Sequence, residues 1–226
     1  LRTLSVDVIK AKRFKVVVDY DPGNLSLLLP SFLSALGCSV SIPRRPDAAN
    51  HGPKHLLEML DSVSSLAKSV VTQQANLGVI VDSNAERLIV IDERGDRVSD
   101  DLFVALMSLL VLKAQEGATV AVPVTAPGII EDMARSYRGR VIRTRANPRS
   151  VMEKVIEEKI FIGEKGLPGF QAPFDALFSF GKILETVARD GISLSELVSM
   201  VPQFFISKRS VKCPWDAKGK VMRTLI

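Results

Sequence analysis

Leu77-Gly-Val-Ile-Val-Asp-Ser-Asn-Ala-Glu-Arg-Leu-Ile-Val-Ile-Asp-Glu-Arg-Gly95 decides how the chain is read. It spells strand, polar loop, strand, turn. Val79, Ile80 and Val81 lead into Asp82, and Leu88 to Ile91 lead out of Arg87. Between the two apolar runs sits Asp82-Ser-Asn-Ala-Glu-Arg87. Oxygen-bearing side chains at alternate loop positions suit a hard cation such as Mg2+. The adjacent Arg87 suits a phosphate, which a guanidinium meets with two parallel donors. An ordinary polar hairpin loop accounts for the same residues and is, on spacing alone, the more economical reading.

Upstream the chain reads as a β-α-β unit. Arg2 to Arg13 has the spacing of a short lead-in helix, and Lys15 to Asp19 that of a strand buried on both faces. Tyr20 to Asn24 is written in turn residues. Leu25 to Leu36 is a helix carrying Pro30, in its first turn or at a kink. Gly37 stops it and Cys38 to Ile42 is the next strand. His51 and His55 stand four residues apart, but no Cys or carboxylate nearby completes a zinc ligand set. Lys54 to Val71 is a helix with Leu56, Leu57, Leu60, Val63, Leu66 and Ala67 as its apolar face. The quoted stretch then supplies a parallel strand and an antiparallel edge hairpin.

Downstream, Ser99 caps a strongly apolar helix over Leu102 to Lys113. Ala118 to Val122 and Arg140 to Thr144 are strands around a helix from Gly128 to Tyr137. Asn147-Pro148 opens a helix to Glu158, and Phe161-Ile162 is a strand before the loop Gly163-Glu-Lys-Gly-Leu-Pro-Gly169. Asp175 caps a helix to Arg189, Gly191 ends it, and Leu194 to Met200 is a short helix. Strands alternate with helices in two successive blocks, each the length of a small α/β domain. From Ile206 the sequence has a strand-like start, then Cys213-Pro-Trp-Asp, and Trp215 has no core of its own.

The bulk numbers narrow the function classes. The 226 residues are 46% hydrophobic and 24% charged, as in a water-soluble globular protein. No apolar run approaches the roughly 18 residues of a membrane span, and no signal-peptide pattern opens the chain. The net charge of +5 is spread rather than gathered into a stripe. Arg138, Arg140, Arg143, Arg145 and Arg149 flank a strand and read as a solvated face, so neither a nucleic acid nor a membrane is an expected partner. Cys38 and Cys213 lie far apart and lack metal spacing or a nucleophile signature, which suits reduced thiols in the cytoplasm. Leu1 stands where a Met start would, so the chain is expected to be an excised fragment.

These segments, taken in order, resemble the α-D-phosphohexomutases, the phosphomannomutase and phosphoglucomutase family of carbohydrate metabolism. Lys15 to Gly23 is similar to the strand and turn that open the family's second domain. Leu77 to Asp92 is similar to the segment with its metal loop, Asp100 to the start of the third domain, and Gly163-Glu164 to its sugar-recognition loop. The resemblance implies two consecutive α/β/α domains with mixed, mainly parallel sheets. Residues 1–98 would be the second domain, 99–205 the third, and 206–226 a linker toward a fourth. It implies intramolecular phosphoryl transfer on hexose phosphates such as mannose or glucose 1- or 6-phosphate. Asp82, Asn84 and Glu86 would surround Mg2+, Arg87 would meet the phosphate, and Glu164 and Lys165 the sugar.

The departures from the family pattern bear on that expectation. The metal loop of the family has Asp at three alternate positions; here they are Asp82, Asn84 and Glu86. One charge is lost and one side chain is longer, so a weakly held cation or none is expected. The Ser and His of the sugar loop are Gly166 and Pro168 here. The phosphoserine of the family belongs to a first domain outside these residues, so no catalytic residue is assigned to this chain. Alone, it is expected to be inactive. The altered loops and the Cys213 to Arg223 ending also resemble mutase-like regions fused behind a mannose-1-phosphate guanylyltransferase-type nucleotidyltransferase. There the partners would be a hexose phosphate or nucleotide sugar and flanking domains of the same chain, with homo-oligomers allowed.

Overall fold

A computed structural model describes residues 4–20, 25–43, 56–158, 160–162, 167–168, 175–207, 209 and 212–225. The chain runs through α1 (Val6–Lys12), β1 (Lys15–Tyr20), α2 (Leu25–Ala35), β2 (Ser39–Ser41), α3 (Leu56–Thr72), β3 (Leu77–Val81) and β4 (Leu88–Asp92). It continues through α4 (Asp100–Ala114), β5 (Thr119–Pro123), α5 (Ile129–Ser136), β6 (Arg140–Thr144), α6 (Pro148–Glu157), β7 (Phe161–Ile162) and β8 (Leu167–Pro168). Three helices close it: α7 (Ala176–Asp190), α8 (Leu194–Ser199) and α9 (Trp215–Leu225).

The first sheet has the order β2-β1-β3-β4. β1 is parallel to β2 and β3, and β4 returns antiparallel along β3 with Val79 opposite Val90. The expected parallel strand and edge hairpin are therefore present. Successive side chains point to opposite faces. Val17, Ile80, Ile89 and Ile91 meet Leu66 and Val70 of α3 on one face. Val16, Val18, Val79, Val81 and Val90 enter the main core on the other, with buried residues of α2, α4 and α7. The second sheet, β5 and β6, is also parallel. Ala121 and Ile142 pack with Val151 and Val155 of α6, while Val120 and Val122 join the main core. The architecture is α/β with mixed, mainly parallel sheets.

Contacts across the length of the chain hold these layers together. Leu4 lies against α7, where a Cβ added at Gly181 would come within 2.3 Å of Leu4 Cδ1. The Ser5 amide donates to Glu185 at 3.1 Å, and Glu185 is 3% exposed. The Ser195 amide in α8 donates to Glu93 at 3.2 Å, from the turn after β4.

Several local expectations change. α2 runs through Pro30, which lies beyond its first turn, so the helix continues with one backbone donor missing. The lead-in helix begins only at Val6, because Leu4 and Ser5 are engaged with α7. The stretch from Ile206 forms no strand among its described residues; instead Trp215–Leu225 is helical. Pro214 just before it and Asp216 in its first turn favour a helix start. Trp215 is 84% exposed, and Lys218 Nζ lies 4.5 Å from its ring centre. Among the described residues, no helix is long and apolar enough to cross a membrane.

Candidate functional site

The ladder between β3 and β4 ends at the Val81–Leu88 pair, and the six residues between them form the candidate loop. Asp82 organises it. Its Oδ1 accepts the Glu86 and Arg87 amides at 2.8 and 2.9 Å. Its backbone amide donates to the Arg87 carbonyl at 3.3 Å, and its carbonyl accepts the Ala85 amide at 3.0 Å. One short side chain thus satisfies two loop amides that have left the strand ladder. Ala85 takes a left-handed conformation, φ 57°, to close the loop. Asn84, Glu86 and Arg87 are exposed, and Ser83 is half-buried.

The loop leans on α7. The Ala176 amide donates to the Ala85 carbonyl at 2.8 Å. Asp175 caps the same helix end, its Oδ1 accepting the Phe178 amide at 2.8 Å. Asp175 therefore plays the capping part that the sequence predicts. A helix N-terminus carries partial positive charge over its first turn. The loop that presents Arg87 is thus anchored to a helix end that itself favours anions.

As a Mg2+ site the loop would offer two carboxylates, Asp82 and Glu86, and one amide, Asn84. One oxygen of Asp82 is already shared by two backbone amides. Asn84 is uncharged, and both it and Glu86 point from an exposed loop. Among the described residues, no group of three or more His, Cys, Asp or Glu converges in a way that could hold a metal. Mg2+ demands near-ideal octahedral oxygen geometry.

Glu164 and Lys165 lie outside the described residues, as do His51 and His55. The flanks of the second loop are described: Phe161 pairs with Pro168 and Ile162 with Leu167, antiparallel.

Arg143 departs from the solvated arginine face read in the sequence. It donates from Nε and Nη2 to the two oxygens of Glu131 at 2.7 and 2.6 Å. It also donates to the carbonyls of Pro123, Ala126 and Pro127 at 3.1, 2.8 and 3.2 Å. It is the brace of the loop after β5. Burial alone would raise the Glu131 carboxyl, but the Arg143 hydrogen bonds and charge outweigh it and hold the carboxyl below the ordinary range. The neighbouring arginines are more exposed and paired: Arg138 with Glu116, Arg140 with Glu158, Arg149 with Glu153. Nothing in the sequence spacing singles out Arg143, because its partners come from a loop and a helix of the preceding unit.

A groove of about 170 Å³ runs between α4 and α7, with Met107 and Phe178 among its lining residues. Its charged rim is closed on itself: Lys113 pairs with Asp190 at 2.8 Å, and Lys182 and Arg189 pair with Glu185 at 2.7 and 2.8 Å.

Residues 1–95 match the family model described as phosphoglucomutase/phosphomannomutase, alpha/beta/alpha domain II. Over those residues the chain is similar to that family's second domain. It is 30% identical over 230 aligned positions to a phosphoglucomutase/phosphomannomutase of Thermococcus kodakarensis, covering 97% of this chain and 49% of the relative. It is 29% identical over 217 positions to a probable phosphoglucosamine mutase of Pyrococcus abyssi, covering 94% of this chain and 48% of that protein. The chain therefore spans about half the length of the curated relatives it matches. Among solved structures, a putative phosphomannomutase from Thermus thermophilus superposes with a TM-score of 0.71 at 14% identity, over 88% of this chain and 48% of that one. A phosphoglucomutase/phosphomannomutase family protein from Burkholderia thailandensis gives 0.68 at 22% identity, over 88% and 46%. These two likenesses establish the phosphoglucomutase-like fold.

Proposed function

We propose that this chain is the central part of a phosphohexomutase-family protein that handles hexose phosphates such as mannose or glucose 1- or 6-phosphate. In this reading, residues 1–98 and 99–205 act as the second and third domains. The whole protein moves a phosphoryl group within the sugar phosphate, and this chain supplies a platform for the charged substrate. The observation that carries it is the anchoring of the Asp82–Arg87 loop to the N-terminus of α7 through Ala85 and Ala176. Arg87 offers a forked donor for phosphate, and Glu164 and Lys165 are assigned to the sugar hydroxyls.

A second reading is a non-catalytic sugar-phosphate or nucleotide-sugar module behind a mannose-1-phosphate guanylyltransferase-type domain. It is favoured by the loop itself, where Asn84 and Glu86 stand in place of family Asp residues and one oxygen of Asp82 is shared by two backbone amides. One experiment separates the two: Mg2+ titration by calorimetry with mutase assays on mannose 1-phosphate and glucose 1-phosphate, using the full-length protein. Turnover that disappears in Asp82→Ala supports the mutase. Absence of both turnover and Mg2+ binding overturns it in favour of the module.

A further inference from the structure

The β3–β4 hairpin is gripped at both ends by two consecutive helices. At the end that carries Asp82–Arg87, the Ala85 carbonyl accepts the Ala176 amide of α7 at 2.8 Å. At the other end, in the turn after β4, Glu93 accepts the Ser195 amide of α8 at 3.2 Å, and the Ser195 hydroxyl donates to its second oxygen. Ala176 and Ser195 both stand in the first turn of their helices, where an N–H has no partner within the helix. β4 (Leu88–Asp92) runs from one grip to the other. A single attachment would let the hairpin pivot; two fix the direction in which its loop points. Both helix ends are held in turn. Asp175 Oδ1 accepts the Phe178 amide at 2.8 Å, and Ser193 and Glu196 form a reciprocal capping box. Burial alone would raise the Glu93 carboxyl, but its hydrogen bonds, those from Ser195 foremost, outweigh burial and hold it below the ordinary range. The second grip is therefore a charge-assisted one.

We propose that Asp175 and Glu93 are positioning residues that aim Arg87 at the phosphate of a hexose phosphate. The proposal rests on the reading of Arg87 as the phosphate donor. Asp175 holds the first turn of α7, and with it the Ala176 amide that fixes Ala85, two residues before Arg87. Glu93 acts from the far end of β4, where its bonds to Ser195 stop the hairpin turning about Ala85. Arg87 is exposed, so its direction is set by the loop backbone that carries it. A guanidinium fork meets two phosphate oxygens only in a narrow range of orientations, so small tilts of the loop cost affinity. Neither positioning residue needs to touch the ligand.

Calorimetry of the full-length protein with mannose 1-phosphate and glucose 1-phosphate tests this. Arg87→Ala should weaken binding. Asp175→Ala and Glu93→Ala should each weaken it by about fivefold, the factor that a lost cap or hydrogen bond is worth. In an Arg87→Ala background neither should weaken it further, because their effect passes through Arg87. Asp175→Asn keeps a capping oxygen and should keep wild-type affinity. Ser99→Ala strips a cap from α4 instead, where Ser99 accepts the Leu102 amide at 3.3 Å, and should leave affinity unchanged. Should Asp175→Ala fail to fold, Glu93→Ala carries the test. A folded Asp175→Ala or Glu93→Ala that binds as tightly as wild type overturns the proposal. So does a loss that Ser99→Ala matches or that persists in the Arg87→Ala background. The reading of Arg87 survives those results wherever Arg87→Ala itself weakens binding. If wild type binds neither sugar phosphate, or Arg87→Ala binds as wild type does, that reading falls and the proposal falls with it.

Discussion

Ala85 and Ala176 are joined backbone to backbone at 2.8 Å, tying the tip of the β3–β4 loop to the first turn of α7. The bond uses an orphan helix N–H that would otherwise need a side chain or water. The conformation of the loop and the position of the helix are therefore set together. Asp82 holds one side of this arrangement and Asp175 the other.

Removing the Asp82 carboxylate should loosen the loop without unfolding the sheet. Asp82→Ala deletes the acceptor of two backbone amides and should cost about 1–2 kcal/mol. Asp82→Asn keeps an oxygen at the same place and should cost less. Hydrogen exchange read at the Glu86 and Arg87 amides checks this. Unchanged protection in Asp82→Ala would contradict the role given to the carboxylate.

Glu185 should make the protein acid-sensitive. Burial alone would raise its carboxyl, but hydrogen bonds from Lys182 and Ser5 and the charge of Lys182 outweigh burial and hold it below the ordinary value. A depressed folded pKa gives stability that is complete above the unfolded value, about 4.3, and is lost as pH falls through the folded value. The acid limb of a melting-temperature profile should therefore fall more gently in Glu185→Gln than in wild type below about pH 4.3. At neutral pH, Glu185→Ala should cost about 2–3 kcal/mol in urea unfolding, because it strips the Ser5 amide and two cations of one partner.

Gly139 should tolerate no side chain. A Cβ there would come within 2.5 Å of the Ala118 carbonyl oxygen and 2.6 Å of Leu112 Cδ2. The first of these is backbone and cannot swing aside. Gly139→Ala should cost about 2–3 kcal/mol through overpacking. Gly128, where an added Cβ meets nothing within 4 Å, supplies the neutral control.

Arg143→Lys should fail as a conservative change. A lysine keeps the charge but cannot reach two oxygens of Glu131 and three carbonyls with one ammonium. The expected loss is about 1–2 kcal/mol, with faster exchange at the Ala126 amide, which donates to Pro123 O at 2.9 Å. Equal exchange in both proteins would show that the loop holds itself.

What could be read in advance was local. The two apolar runs on either side of Asp82–Arg87 gave the hairpin, and Ser99, Asn147 and Asp175 were legible as caps because a cap acts within three residues. The site was legible as a loop but not as an attached one, since Ala176 lies far along the chain from Ala85. Glu185 and Arg143 escaped for the same reason. A buried carboxylate on an amphipathic helix reads as solvent-facing until its partners are known, and an arginine beside other arginines reads as part of a charged surface. The helix at Trp215–Leu225 escaped because Gly219 and two lysines weaken its periodicity.

Leu4 and Ser5 are bolted to Gly181 and Glu185, far along the sequence. The first strands can form early in synthesis, but this seam waits until the ribosome has released α7. Cutting the chain after residue 98 would then leave two pieces that carry complementary halves of one seam. Mixed together, they should find each other and reassemble without a covalent link.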